Sequence, residues 1–290
     1  MKKRLSIIIA LVILVISAAA CTPKAPRLRA GIRASSYGIT PFPSPDWWLA
    51  STDSMAKNFD DADPAVVWIV ATVQHKGYTW LNFPMPEGKK SSDFEKILFT
   101  PLDDNEAYLN EFDKKGVKVW LQVEPNEADI ETLIDLVLKR YAQHPCIVGF
   151  GIDVEWYQHK IYDEGKPVSD EEAKAWLEKV RSYNPEYKLF LKHWLSEKMP
   201  PTYREGMMFL DDSQGYTSLE EMTADFSNWG TFFDPAPVGF QFGYRADRKW
   251  WRNFDNPPAE IGKALIAAIP NTSDLVWVDF TAKEIWKQEK

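Results

Sequence analysis

Residues 147–155 read Ile-Val-Gly-Phe-Gly-Ile-Asp-Val-Glu, and two sets of side chains alternate along them. Val148, Phe150, Ile152 and Val154 share one parity. Gly149, Gly151, Asp153 and Glu155 share the other. Successive side chains on a strand point to opposite faces. The stretch therefore predicts a strand whose apolar side packs on helices, while its glycines and acids face the axis of a barrel.

Seven more strand-like runs surround this one: Arg29–Ala34, Val66–Val73, Val117–Val123, Tyr187–Lys192, Met207–Asp211, Val238–Phe242 and Leu275–Phe280. They are rich in Val, Ile, Phe and Trp, the side chains that suit a pleated sheet. Helix-like segments lie between most of them. Residues 128–144 place Ile130, Leu133, Ile134, Leu136, Val137 and Tyr141 largely on one stripe. Helix starts are predicted where Ser or Thr precedes Glu by three residues, at Ser169/Glu172, Ser218/Glu221 and Thr281/Glu284. Strands alternating with helices predict a parallel sheet with crossover helices. Eight such units in 290 residues fit a single-domain α/β fold, the (β/α)8 TIM barrel, over residues 29–290. The rival is an open doubly wound sheet, but its nucleotide loop is not evident, because Val154 stands where a third glycine would follow Gly149 and Gly151. Residues 74–100 read as a loop over the barrel mouth.

The same alternation recurs. Trp120, Gln122 and Glu124 oppose Val117, Val119, Leu121 and Val123. Gly239, Gln241 and Gly243 oppose Val238, Phe240 and Phe242, and Trp277 and Asp279 oppose Val276, Val278 and Phe280. Polar groups thus collect at the C-terminal ends on the inward parity, the end where barrel enzymes carry their sites. Converging acids are costly unless partnered, and Lys192 is a candidate partner. A carboxyl crowded by carboxylates has its pKa raised, which suits a general acid.

The N-terminus carries an address. Lys2, Lys3 and Arg4 precede an apolar run from Leu5 to Ile16, and small residues lead to Cys21, the layout of an export signal. Ala18-Ala19-Ala20-Cys21 resembles a lipoprotein signal box, although Ala18 stands where that box prefers Leu. The resemblance implies a signal peptide over 1–21, lipid on Cys21, a tether over 22–28, and a protein anchored at the outer face of a membrane or in the envelope. Ordinary cleavage nearby would instead give a secreted protein. The formal net charge of −8 disfavours nucleic acid as a partner. With Cys21 lipidated, Cys146 is alone, no intrachain disulfide is possible, and Cys146 reads as a buried core thiol. A monomer is expected.

Val148–Glu155 resembles the D-G-x-D-x-D-x-E signature of glycoside hydrolase family 18, the chitinase-like barrels, in which the motif ends the fourth strand. The resemblance implies that Glu155 protonates the glycosidic oxygen. It implies that Asp153 orients the N-acetyl group whose carbonyl oxygen acts as nucleophile. The first two acids of the signature are replaced by Val148 and Gly151. Met208-Phe209-Leu210-Asp211 is similar to the family's M-x-Y-D with Leu210 for Tyr, so Tyr216 is the alternative acetamide contact. Residues 239–245 are similar to its G-x-P-x-Y-G-R segment without the Pro, and Trp277 stands where that family has a tryptophan floor. Family 25 lysozyme-like barrels also carry D-x-E on a strand, but their G-I-D in the first strand is Gly31-Ile32-Arg33 here. A conventional carboxylate pair stays open. The seventh strand offers Gln241 rather than a nucleophilic acid, leaving Glu124, Asp279 and Asp211 or Asp212.

The expected reaction is therefore glycoside hydrolysis on a polysaccharide, with Glu155, Asp153 and Glu124 as catalytic candidates. The expected sugar-binding residues are Gln122, Trp156, Tyr157, Lys192, Trp194, Asp211, Asp212, Gln214, Tyr216, Gln241, Tyr244, Trp277 and Asp279. No cofactor is implied. His75, His144, His159 and His193 form no paired metal motif, and there is no G-x-S-x-G elbow. The alternative is a carbohydrate-binding barrel without catalysis.

Overall fold

The computed structural model describes residues 27–287. The proposed signal, Cys21 and the tether up to residue 26 lie outside the described residues. Eight parallel strands close into a barrel: β1 (Arg29–Ala34), β2 (Asp63–Val73), then, after two short rim strands β3 (Thr79–Leu81) and β4 (Ile97–Phe99), β5 (Lys118–Val123), β6 (Ile147–Asp153), β7 (Lys188–Lys192), β8 (Met207–Asp211), β9 (Val238–Phe242) and β10 (Thr272–Val278). β1 pairs with both β2 and β10, which removes the sheet edges. The expected TIM barrel is the fold.

Around it stand α1 (Pro45–Ala56), α2 (Glu106–Lys115), α3 (Ile130–Tyr141), α4 (Asp170–Arg181), α5 (Leu219–Phe233), α6 (Arg248–Trp251), α7 (Pro257–Ala268) and α8 (Asp279–Ile285). The link from β7 to β8 contains a single 3-10 turn, Ser196–Lys198, in place of a helix. The segment over 74–100 is more ordered than a loop. β3 pairs antiparallel with the end of β2, and β4 adds to β3.

Two apolar layers follow from the alternation. Phe150, Ile152 and Val154 face out into the large core between sheet and helices, with Val119, Leu121, Val123, Phe240 and Phe242. Val67, Trp120, Phe190, Met208, Leu210 and Val276 fill the barrel, and each such side chain contributes roughly 1.5–3 kcal/mol on burial. The glycines of β6 make this filling possible. A Cβ on Gly149 would stand 2.5 Å from the Trp120 ring, and one on Gly151 would stand 2.1 Å from the Phe190 ring. Trp120 and Phe190 meet edge to face over these positions, with centroids 5.4 Å apart.

The parity expected for β10 is reversed. Val276 lies in the barrel interior, while Trp277 is fully buried in the outer layer against Phe242, Trp251 and Trp286. β10 ends at Val278, and α8 starts at Asp279, so Thr281 lies inside the helix rather than capping it. Its hydroxyl instead accepts from the Trp277 indole at 2.9 Å. At Ser169 and Glu172 the reciprocal capping box forms. At Ser218 the hydroxyl caps Glu221 N, but the Glu221 carboxylate accepts from Thr217 N. Cys146 is a free, buried thiol. His144 is buried beyond the end of α3, where it bridges Asp113 and Glu106 of α2.

Candidate active site

At the C-terminal ends of the strands lies a cavity of about 480 Å³. Its wall includes Glu124, Asp153, Glu155, Trp156, Lys192, Asp212, Gln214 and Tyr244, all expected from the sequence. Three of the four acids arrive by the same device: the last inward position of a strand, or the residue just beyond it. Asp153 ends β6, Glu124 follows β5 and Asp212 follows β8. Glu155 lies in the 3-10 turn Val154–Trp156 that continues β6.

Lys192 organises the floor. It ends β7 opposite Asp153 in the strand register. Its Nζ lies 2.9 Å from Asp153 Oδ2 and donates to Asp212 Oδ2. Gln122 Nε2 donates to the same Asp153 oxygen at 3.4 Å. The Tyr244 hydroxyl donates to Asp212 at 3.5 Å and accepts from Gln241 Nε2. All six are buried. Burial opposes the Lys192 charge, yet Asp153 and Asp212 together hold its pKa well above the ordinary ammonium range. Burial and the surrounding Glu155, Asp212 and Glu124 push the Asp153 carboxyl up against the pull of Lys192. Asp153 Oδ1 and Asp212 Oδ1 are buried without a hydrogen-bond partner among the described residues. Buried acceptors of this kind are normally satisfied, so these two are placed to meet donors of a ligand or of water.

A second chain of contacts holds Glu124. The Tyr37 hydroxyl donates to Glu124 Oε1 at 2.5 Å, and Val73 N donates to Oε2 at 3.0 Å. Arg33 Nη2 donates to Tyr37 at 3.2 Å, and its Nη1 pairs with Asp279 at 2.7 Å. Asp279 also accepts from Ser35 N and Oγ, which fixes it behind Arg33 and outside the cavity wall.

Glu155 is different. It is half-buried on the cavity wall, and no hydrogen bond among the described residues engages its carboxyl group. Burial and the carboxylates of Asp212, Glu124 and Glu164 push its pKa up to about 7, with Lys192 opposing. An acid of this kind retains a proton near neutral pH and has it free to give.

Several expected sugar contacts lie elsewhere. Tyr157 is buried behind β6, donating to Glu172 at 2.7 Å and packing on Trp176. Asp211 has the outward parity and accepts from Ser213 N and Oγ. Tyr216 donates to Asp225 beside α5, and Trp277 belongs to the outer core. Trp194 is half-buried against His193 and stands off the cavity wall. His193 is itself locked to the Glu164 carbonyl at 2.8 Å, and burial pushes its pKa down to about 4. The reading missed Arg33, Ser36, Tyr37, Thr72, Val73, Gln74 and Phe280, which complete the wall. Two of these left a signal: Gln74 opens the segment read as lying over the mouth, and Arg33 is a charged residue near the end of the first strand. Among the described residues no group of His, Cys, Asp or Glu is arranged to hold a metal ion.

No family model and no curated protein matches the sequence. The fold does match solved structures. A protein from Bacteroides thetaiotaomicron VPI-5482 provisionally named an alpha-L-fucosidase superposes with a TM-score of 0.57 at 9% identity, over 99% of this chain and 98% of its own. A family 18 chitinase from Crocus vernus gives a TM-score of 0.49 at 9% identity, over 89% of this chain and 95% of its own. A beta-glucuronidase from Parabacteroides merdae gives 0.48 at 9% identity, over 87% of this chain and 31% of its own. The likeness is one of fold: this chain is built on the same TIM-barrel plan as the fucosidase-named protein.

Proposed function

We propose that the protein is an exported glycoside hydrolase acting on a polysaccharide, with Glu155 as its general acid/base. The observation that carries this reading is the unengaged Glu155 carboxyl, with its pKa near 7, on a cavity walled by Trp156 and Tyr37. In the first step Glu155 gives its proton to the glycosidic oxygen as the anomeric carbon–oxygen bond breaks. For an N-acetylated sugar, the acetamido oxygen attacks that carbon, and Asp153 holds the amide N–H through its unpartnered oxygen. Water then opens the cyclic intermediate and returns a proton to Glu155. For a sugar without the acetamide, the remaining wall carboxylates are Glu124 and Asp212, and the spacing rules for paired acids apply.

The support for Asp153 differs from that in the resembling family. Gly151 leaves its interior place to the Phe190 ring, and Lys192 and Gln122 contact Asp153 instead. That substitution favours the second reading, a carbohydrate-binding barrel without catalysis. Release of reducing ends from chitin, peptidoglycan and plant glycans, compared between the parent and Glu155→Gln, separates the two. Equal release by both proteins rejects the role of Glu155, and binding without release supports the second reading.

Export and a lipid on Cys21 belong to the same proposal. β1 starts at the end of the barrel opposite the mouth, so an anchor just ahead of it would turn the mouth away from the membrane, toward surface glycans. Labelling with a fatty-acid probe in the producing cell, lost in Cys21→Ser, tests this.

A further inference from the structure

Beside the mouth lies a second groove of about 420 Å³ that the chemistry above does not use. It sits over the ends of β1 and β2, where the loop after β1 meets the start of α2. Ser36 belongs to the walls of both cavities, so the two are neighbours. Phe42 and Tyr108 form an aromatic wall, meeting edge to face with centroids 5.5 Å apart over the Trp68 indole. Trp68 is pinned from below, its Nε1 donating to Asn105 Oδ1 at 2.8 Å. The Tyr108 hydroxyl is tied to the Pro43 carbonyl at 3.0 Å, which fixes the loop bearing Phe42. Yet Phe42 keeps 36% of its surface exposed. An aromatic ring held on a rigid base and open to a groove offers a flat face to a ligand.

The polar side of the groove is equally specific. Asp103 is consumed, accepting from Asn105 N, Glu106 N, Tyr141 and Arg140. The neighbouring Asp104 is exposed on the groove wall, and no hydrogen bond among the described residues uses its carboxylate. An apolar ring face beside a free carboxylate matches a neutral pyranose, which offers C–H groups on one face and hydroxyl donors around its rim. An anionic sugar would meet Asp104 unfavourably.

From this juxtaposition we infer that the groove is a second saccharide subsite, holding the neutral sugar next to the one bound in the mouth, with Phe42 as stacking platform and Asp104 as hydroxyl acceptor. The inference rests on the mouth binding a sugar, and it makes the ligand an oligomer rather than a single residue.

The test is binding by the full chain in the Glu155→Gln background, so that oligosaccharides stay intact. Titration calorimetry would use chito-, cello-, xylo- and manno-oligosaccharides, each from monosaccharide to hexasaccharide. Affinity for at least one series should rise by about tenfold or more between the monosaccharide and the trisaccharide. Phe42→Ala and Asp104→Ala should remove most of that rise while leaving monosaccharide affinity unchanged. Ala107→Trp, which fills the groove from an exposed position on α2 without removing packing, should do the same. Affinity that does not depend on length, or that all three variants leave intact, overturns the second subsite and leaves the mouth's role standing. Absence of binding by every series overturns both. Length-dependent binding with no hydrolysis by the parent keeps the subsite and rejects the hydrolase reading.

Discussion

Lys192 Nζ lies 2.9 Å from Asp153 Oδ2, across the register of two adjacent parallel strands, with both side chains almost wholly removed from water. The ammonium also serves Asp212. One ammonium thus holds two acids together beside Glu155. Removing one partner of a buried pair costs about 3–5 kcal/mol, so Lys192→Met should lower stability by that order in urea unfolding. It also deletes the main influence that lowers the Glu155 pKa. Any remaining activity should therefore persist to higher pH than in the parent. An unmoved alkaline limb would show that Lys192 is structural and does not tune the acid.

Glu155 gives a prediction with a definite sign. Its folded pKa is raised from 4.5 to about 7, so the native state holds a proton that the unfolded chain releases between these values. Its contribution to stability is full below about pH 4.5 and is lost as pH rises through 7. Glu155→Gln should therefore be more stable than the parent at pH 8 by on the order of 2 kcal/mol, allowing for partial exposure, and should match it at pH 4. Activity should fall by roughly 10²–10⁴, the range for loss of general acid catalysis. Chemical denaturation at the two pH values, beside rate profiles, checks both.

Gly151 tests why one acid of the resembling signature is missing. A side chain there runs into the Phe190 ring. Gly151→Asp should destabilise by about 3 kcal/mol through overpacking and an added buried charge. Pairing it with Phe190→Ala should cost less than the two single changes added together, because the contacts are shared. Strict additivity in a double-mutant cycle would count against this explanation.

Trp277 separates the expected sugar floor from the observed core position. Trp277→Ala should cost about 3–5 kcal/mol, as for other large buried aromatics. Folded protein at low temperature should bind saccharides as the parent does. Loss of saccharide affinity without loss of stability would restore the floor assignment.

The barrel was legible because its cause is local. β5, β6 and β9 carry their own alternation, and crossover helices follow most runs, so strand order and the inward acids Glu124 and Asp153 could be read from neighbours in sequence, whereas β8 is apolar up to Asp211 and left Asp211 and Asp212 as alternatives. β10 shows where that reading stops. Val276, Trp277 and Val278 are all apolar and buried, and a strand covered on both faces has no polar contrast to mark which way it turns. The same limit hid Tyr37, whose hydroxyl reaches Glu124 across 87 positions of chain, and Phe42, whose exposure depends on where α2 stands. The sequence by itself determined the fold class and sent Glu124, Asp153 and Glu155 to the mouth through period-two patterning, but the same patterning also sent Asp279 there, which the tertiary structure places behind Arg33. Tertiary structure alone decided which of those acids is bonded and which is free. That depends on the distance to groups such as Lys192, Tyr37 and Val73, brought from other strands and loops by closure of the barrel.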